Sequence, residues 1–318
     1  MRKNVVIQFA LATAAILLLV GYQFFGSAGG ELAKIRIATG GSSGIYFAYG
    51  NALADMLEKR MNVPVTAIQS GGSVDNIRLL KDGRAEIAFV QNDIMTYAYN
   101  GTNFFSTEGE FKDFSAIAGI YAETCQVVAR REISSISDLN GRRVSVGDEG
   151  SGTELNAIQI LGAYGMSYAD IDVDHLSFGA SVSAFRDGKI DAFFCTAGVP
   201  TPAISQLAAE GEAHILSVGD AHARSLISRY PFYAQQVIPN GAYPGIDGEA
   251  ETVAVKATLV ASNKLSDQAV HQILKTLFDG KGEISKIVPQ GDDLNRDTAL
   301  EGIPIPLHPG AEKYFFEK

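Results

Sequence analysis

Cysteine, histidine and long apolar runs are all scarce in this chain, and each scarcity narrows what it can be. Only Cys125 and Cys195 occur among 318 residues, which excludes a disulfide-built scaffold; a chain of this length buries a core without one. In an oxidising compartment the two could form a bridge, and the sequence alone leaves that open. There is no C-x-x-C and no H-E-x-x-H, and the five histidines (175, 214, 222, 271 and 308) are scattered, so no metal-ligand spacing stands out. No block of like charges occurs and the formal charge is −10, which argues against a nucleic-acid binder. An acidic chain can still hold an anion, because a site needs only local positive potential.

One stretch alone is apolar enough to approach a membrane span. Arg2 and Lys3 precede an apolar run from Val5 to Val20, followed by the small residues Gly26, Ser27, Ala28 and Gly29. This order of charged, apolar and small residues is that of a secretory signal over residues 1–28, with cleavage expected near Ala28. An uncleaved anchor is the alternative. No cysteine follows the run, which argues against a lipoprotein. Either way the remainder is expected to fold outside the cytoplasm.

That remainder has the length of two ordinary domains. Short apolar runs alternate with helical patterns, the signature of an α/β fold with a largely parallel sheet. Strands are expected at 35–39, 63–69 and 86–91, with helices at 45–60 and 74–81 between them. A mixed segment, 97–114, is followed by a long strand at 116–129 that crosses to a second lobe. There the plan repeats, with strands at 143–146, 175–178 and 190–195 and a helix at 154–163. Thr252 to Ser262 returns as a second crossing strand, and Ser266 caps a helix running to Asp279. The lobes are therefore expected at 31–122 plus 256–318 and at 123–255, with the two crossings forming a hinge. Within this plan LLKDGRAEIAFVQ (79–91) is echoed by AFRDGKIDAFFCT (184–196). Each holds a helix end, an Asp-Gly stop and an apolar strand with an acid near its start.

The turns carry the chemistry. Gly40 to Gly44, Ser70 to Ser73, Gly150 to Thr153 and Gly179 to Ser181 each lead into a helix N-terminus. Such an end presents unsatisfied N–H groups and positive potential. Glycine permits close backbone approach, and Ser or Thr adds a hydroxyl. Any one of these turns reads as a cap, and Ser151 with Glu154 forms a capping box. Several converging at the carboxyl ends of the strands would hold a carboxylate without a buried Lys or Arg.

The stretches IRIATGGSSGIYFAYGNALADML (35–57), SGGSVDNIRLLKDGRAEIAFVQND (70–93) and SVGDEGSGT (145–153) resemble the TAXI family, the substrate-binding proteins of a class of TRAP transporters. IYAETCQVVAR (120–130) and ETVAVKATLVAS (251–262) extend the resemblance over the mature chain. It implies a periplasmic monomer with a two-lobe periplasmic-binding-protein fold of type II-like form, hinged on two crossing strands. It also implies a small carboxylate or glutamate-like amino acid as ligand, a sodium-coupled TRAP-type membrane permease as partner, no cofactor and no catalysis. By position it assigns Ser42, Ser43, Gly44 and Tyr46 to the first ligand turn and Ser73 and Asn76 to the second. Gln91 falls at the end of the third strand, Gly152 and Thr153 on the opposite lobe, and Thr196 and Tyr243 are added to these. Two other classes fit parts of the sequence. Gly40–Gly41–Ser42–Ser43–Gly44 matches G-x-S-x-G, so a serine hydrolase would use Ser42 as nucleophile. A sensor input module would bind the same ligand and signal to a membrane partner.

Overall fold

The computed structural model describes residues 34–211 and 213–317; the leader and its expected cleavage near Ala28 lie outside the described residues. Strand and helix alternate from the start: β1 (Ile35–Ala38), α1 (Ile45–Met61), β2 (Val65–Ile68), α2 (Ser73–Lys81), β3 (Ile87–Gln91) and α3 (Asn92–Asn100). β1 pairs in parallel with β2 and β3. The long β4 (Phe114–Arg130) then carries the chain to a second run: β5 (Arg143–Ser145), α4 (Gly152–Ala163), β6 (Asp172–Asp174), α5 (Phe178–Arg186) and β7 (Ala192–Ala197). There β5 pairs in parallel with β6 and β7. After α6 (Pro202–Ala208), β8 (Ala213–Leu216), α7 (Asp220–Arg229) and β9 (Ala234–Ile238), the strand β10 (Ala250–Ser262) returns to the first run. Three helices, α8 (Asp267–Asp279), α9 (Lys281–Ile284) and α10 (Pro309–Phe316), complete the chain.

All ten strands belong to one sheet, in the order β2-β1-β3-β10-β4-β7-β5-β6, with β8 on β4 and β9 on β10. Two parallel half-sheets are thus joined through an antiparallel pair of crossing strands, which is the expected two-lobe plan. β3 pairs with β10 and β7 with β4, both antiparallel. β3 and β7 are buried along their whole lengths, as strands with helices on both faces must be. This is why they read as nearly unbroken apolar runs.

The sequence echo corresponds to a repeated clamp. Arg36 in β1 pairs with Glu86 and also donates to the Gly83 carbonyl. Arg143 in β5 pairs with Asp191 and donates to the Gly188 carbonyl. Each Asp-Gly stop places its glycine at positive φ (64° for Gly83, 68° for Gly188), a conformation glycine adopts without steric cost. The stop, the acid and the arginine therefore form one device that ties each central helix–strand unit to the first strand of its half-sheet.

Several expectations shift. The segment expected to be mixed begins inside α3, which runs from Asn92 to Asn100. Its Asn, Thr and Tyr content gives weak local helix preference, and packing of Ile94, Met95 and Ala98 into the core supplies the rest. The strand expected at 175–178 is instead β6, three residues earlier, because Ser177 caps α5 by accepting from Ala180 N. The cap of Ser266 on α8 and the helix end at Asp279 are as expected. Cys125 and Cys195 are free and buried. In the ladder Cys125 lies opposite Thr196 while Cys195 lies opposite Gln126. Alternate residues of a strand project to opposite faces, so the two thiols sit on different sides of the sheet and in different core clusters. Among the described residues no helix is long and apolar enough to cross a membrane.

Candidate functional site

Each half-sheet sends two helix N-termini toward the line where the halves meet. α1 and α2 approach from the first half, α4 and α5 from the second, and their first residues enclose a cavity of about 260 Å³. Its volume suits a ligand of a few to a dozen heavy atoms rather than a polymer. Of the residues singled out from the sequence, Ser42, Ser43, Gly44, Tyr46, Ser73, Gln91, Gly152, Thr153 and Thr196 line it.

Two do not. Asn76 is fully buried under the turn, donating to the Thr39 and Phe89 carbonyls while its Oδ1 accepts from Ser70 Oγ. Its side chain is spent holding α2 against the ends of β1 and β3. Tyr243 packs in the second half, donating to Gln126 Oε1 and accepting from the Thr201 N–H. Both are polar groups of the right kind, but their hydrogen bonds are satisfied inside the protein.

The lining hydroxyls also do structural work. Ser73 Oγ accepts from the backbone N–H of Gln91 at 3.1 Å, and Thr153 Oγ1 accepts from that of Thr196 at 3.3 Å. In each half a hydroxyl of a helix's first turn thus ties down the end of the central strand. Ser151 caps α4 by accepting from Glu154 N, but the return bond of the expected capping box goes to Gly150 N. Thr196 Oγ1 lies 3.5 Å from Cys125 Sγ.

The halves touch along glycines. A methyl group at Gly152 would lie 2.0 Å from Gln91 Oε1, one at Gly179 2.7 Å from Ser43 Oγ, and one at Gly72 3.6 Å from Ser151 Cβ. Gly44 faces the Phe178 ring. Residues 40–44 and 70–73 therefore meet 150–153 and 177–179 across the cleft in a closed arrangement, and a side chain at 152 would have to displace the Gln91 carboxamide.

Sequence reasoning missed Gln69, Asp148, Ser177, Phe178 and, above all, Glu123. Glu123 lies on β4, only 3% exposed, and its Oε2 accepts from Tyr46 OH at 2.7 Å. Burial pushes its carboxyl up to about 8, the bond from Tyr46 favours the charged form, and the charge of Asp93 opposes it. Asp93, just after Gln91, is raised to about 7 by burial and accepts from Asn156 of the other half. Asp148 is raised by burial as well. The available signal for Glu123 was an acid in the middle of a mostly apolar crossing strand. Ser42 stands exposed at the strand-to-helix turn that a nucleophile elbow would need, but no histidine is among the residues that line the cavity.

The architecture is similar to that of solved periplasmic-type binding proteins. The alkanesulfonate-binding protein of Xanthomonas axonopodis pv. citri bound to MOPS aligns with a TM-score of 0.55 at 16% identity, covering 90% of this chain and 84% of that one. PhnD1 of Prochlorococcus marinus, in complex with methylphosphonate, aligns with a TM-score of 0.51 at 12% identity, covering 82% and 90%. The periplasmic aliphatic sulphonate binding protein of Escherichia coli aligns with a TM-score of 0.50 at 14% identity, covering 88% and 82%. These likenesses establish the two-lobe periplasmic-binding-protein fold. Residues 37–318, from the second half of β1 through the last helix, match the NMT1-like family, and the chain is a member of that family.

Proposed function

We propose that this chain is an extracytoplasmic solute-binding protein that closes on a small carboxylate, glutamate-like amino acids included, and delivers it to a membrane permease. The observation that carries this reading is the meeting of four helix N-termini, two from each half-sheet, around one partly open cavity. Each end contributes N–H groups and positive potential, so an anion is held without a basic side chain. The N-terminal leader supports export to the periplasm, and the TAXI-like stretches support a sodium-coupled TRAP-type partner. The lobe boundaries proposed from the sequence, 122/123 and 255/256, lie opposite one another in the β4–β10 ladder, where Ala122 pairs with Lys256 and Glu123 with Val255. A register shift follows at Ala257/Thr258, where the hinge would bend.

A thermal-shift screen of amino acids and mono- and dicarboxylates tests the binding, since a ligand of the folded state alone raises the melting temperature. A carboxylate should give the largest rise and should reduce the radius of gyration in small-angle scattering. If no carboxylate shifts the transition, the reading is wrong; a radius unchanged at saturation would mean a rigid site. Uptake of the ligand into membrane vesicles driven by a sodium gradient would support a TRAP-type partner. Uptake that requires ATP would instead point to an ABC transporter.

A further inference from the structure

The two crossing strands have a second face. Neighbouring residues of a strand project to opposite sides, so while Glu123 lines the cleft cavity, Ala122 lies on the reverse, opposite Lys256 in the ladder. On that side runs an open groove of about 460 Å³, larger than the cavity itself. Its floor is Ala122, Ala254 and Lys256. One wall comes from Asn92 and residues 301–304 of the first half, the other from residues 231–234 and Gln236 of the second. Ala122 is the one exposed residue of β4, an apolar floor left uncovered between two walls. Half-buried Phe232 stands in the second wall, edge-on to Tyr97 of α3. Ile303 in the first wall packs on the core of its own half.

Within this largely apolar lining Lys256 is the one cation. Its half-buried Nζ donates to the Thr298 carbonyl at 2.9 Å and the Glu301 carbonyl at 3.2 Å. It makes no ion pair among the described residues. An ammonium has three donors, so one remains for an occupant. Burial lowers the Lys256 pKa, and the exposed Glu301 carboxylate, the one acid in the lining, offsets this only in part. A pocket of this size with apolar and aromatic walls and few polar groups has the usual form of a small-molecule site. An ammonium short of a carboxylate, at its floor, fits an occupant with an anionic head.

We propose that this groove is a second binding site, separate from the cleft, for a small amphiphilic acid. The acid's carboxylate meets the Lys256 ammonium, and its hydrocarbon part lies on Ala122 and Ala254 between Phe232 and Ile303. Charge-assisted bonds are the strong ones and fix the head, while burial of the tail supplies the apolar share. The occupant touches both halves at once. The site goes beyond the solute-binding reading and does not depend on it, since no residue lines both the groove and the cleft cavity.

Octanoate serves as the probe. Calorimetric titration compares it with 1-octanol, which keeps the tail without the charge, and with acetate, which keeps the charge without the tail. Octanoate should bind, with octanol and acetate at least about tenfold weaker, the scale of losing one charged hydrogen bond. Gly44→Asp, which puts a carboxylate at the cleft, should leave octanoate binding unchanged. Ala122→Phe fills the groove from an exposed position and should abolish it. Lys256→Gln should weaken octanoate by about tenfold and leave octanol unaffected. Failure of octanoate to bind overturns the proposal. Binding lost in Gly44→Asp also overturns it, because the probe would then sit in the cleft. Unaltered octanoate affinity in a Lys256→Gln variant that melts cooperatively does the same. Should Ala122→Phe fail to fold, Lys256→Gln and the octanol comparison still decide.

Discussion

The two half-sheets share a plan, a strand order and an Arg–acid–glycine clamp, yet they end their helices differently. In the first half, α1 and α2 begin at Gly44 and Gly72, which offer no side chain to the helix end. In the second, α4 and α5 begin at Ser151 and Ser177, whose hydroxyls accept from Glu154 N and Ala180 N. A helix end can give its N–H groups to its own cap or to a ligand. The first half is therefore suited to seat the anion, and the second to close over it with hydroxyls and glycines. Common ancestry is not needed to see the lesson: identical scaffolding can leave a charge site open on one side and filled on the other.

Filling the open side should break this asymmetry with the largest effect. Gly44 has extended φ and ψ (−105°, 168°), so an L-residue fits there. Gly44→Asp would place a carboxylate on the N-terminus of α1, capping it by only about a few tenths of a kcal/mol relative to glycine. Binding of the anionic ligand should fall by about 100-fold or more in calorimetric titration, while the melting temperature holds or rises. A variant that binds as tightly as the parent would show that the α1 end is not the anion seat.

Removing one hydroxyl from each half compares the halves directly. Ser73→Ala and Thr153→Val each free a strand-end N–H and delete a donor from the cavity. Each should weaken binding by roughly one order of magnitude, or two where the hydroxyl bonds the charged ligand, taking about 1.5–3 kcal/mol per charged bond. If both variants bind like the parent, the hydroxyls serve only the strand ends.

The acids near the hinge predict a pH dependence of the ligand-free protein. Glu123 and Asp93 hold their protons to about 8 and about 7 when folded, whereas unfolded carboxyls release theirs near pH 4. The folded state then binds more protons across that window, so stability falls as pH rises from about 4 to about 8 and levels off above. Urea midpoints at pH 5 and pH 8 should show the fall, and Glu123→Gln should remove its own share. A midpoint that fails to fall, or a variant curve parallel to the parent's, would mean these carboxyls are already ionised in the fold.

The smallest effect belongs to the filled side. Ser151→Ala should cost about 1 kcal/mol of stability through the lost cap, lowering the melting temperature by a few degrees, with affinity reduced by no more than about threefold. A loss of affinity as large as that of Gly44→Asp would erase the distinction between open and filled helix ends.

Legibility in the sequence followed the range of the interactions. The Gly/Ser turns before α1, α2 and α4 are local signals, and all of them reach the cavity; residues 179–181, expected as a fourth turn, lie in the first turn of α5, where only Gly179 lines the cavity. The crossing strands were readable because a long apolar run without helical caps has few other uses. Asn76 and Tyr243 misled for a physical reason: residue type shows what a side chain can bond, not whether a carbonyl of Thr39 or the amide of Gln126 has already claimed it. Glu123 was hidden in a mostly apolar strand, and only the fold that sets it against Tyr46 places it at the cavity. The helix α3 escaped because its composition carries no strong preference, and the core it covers is assembled from distant segments.

The crossing strands have a further thermodynamic consequence. β4 gives Phe114 and Ala116 to the core cluster of the first half, Val127 and Ala129 to one in the second, and Val128 to another. β10 does the same with Val260, Val253 and Ala250. Melting either core would strip the partners from strands the other core needs, at about 1.5–3 kcal/mol for each large apolar side chain exposed. The two half-sheets are thus welded for unfolding, and heat should dismantle residues 34–317 in a single cooperative transition rather than one lobe at a time.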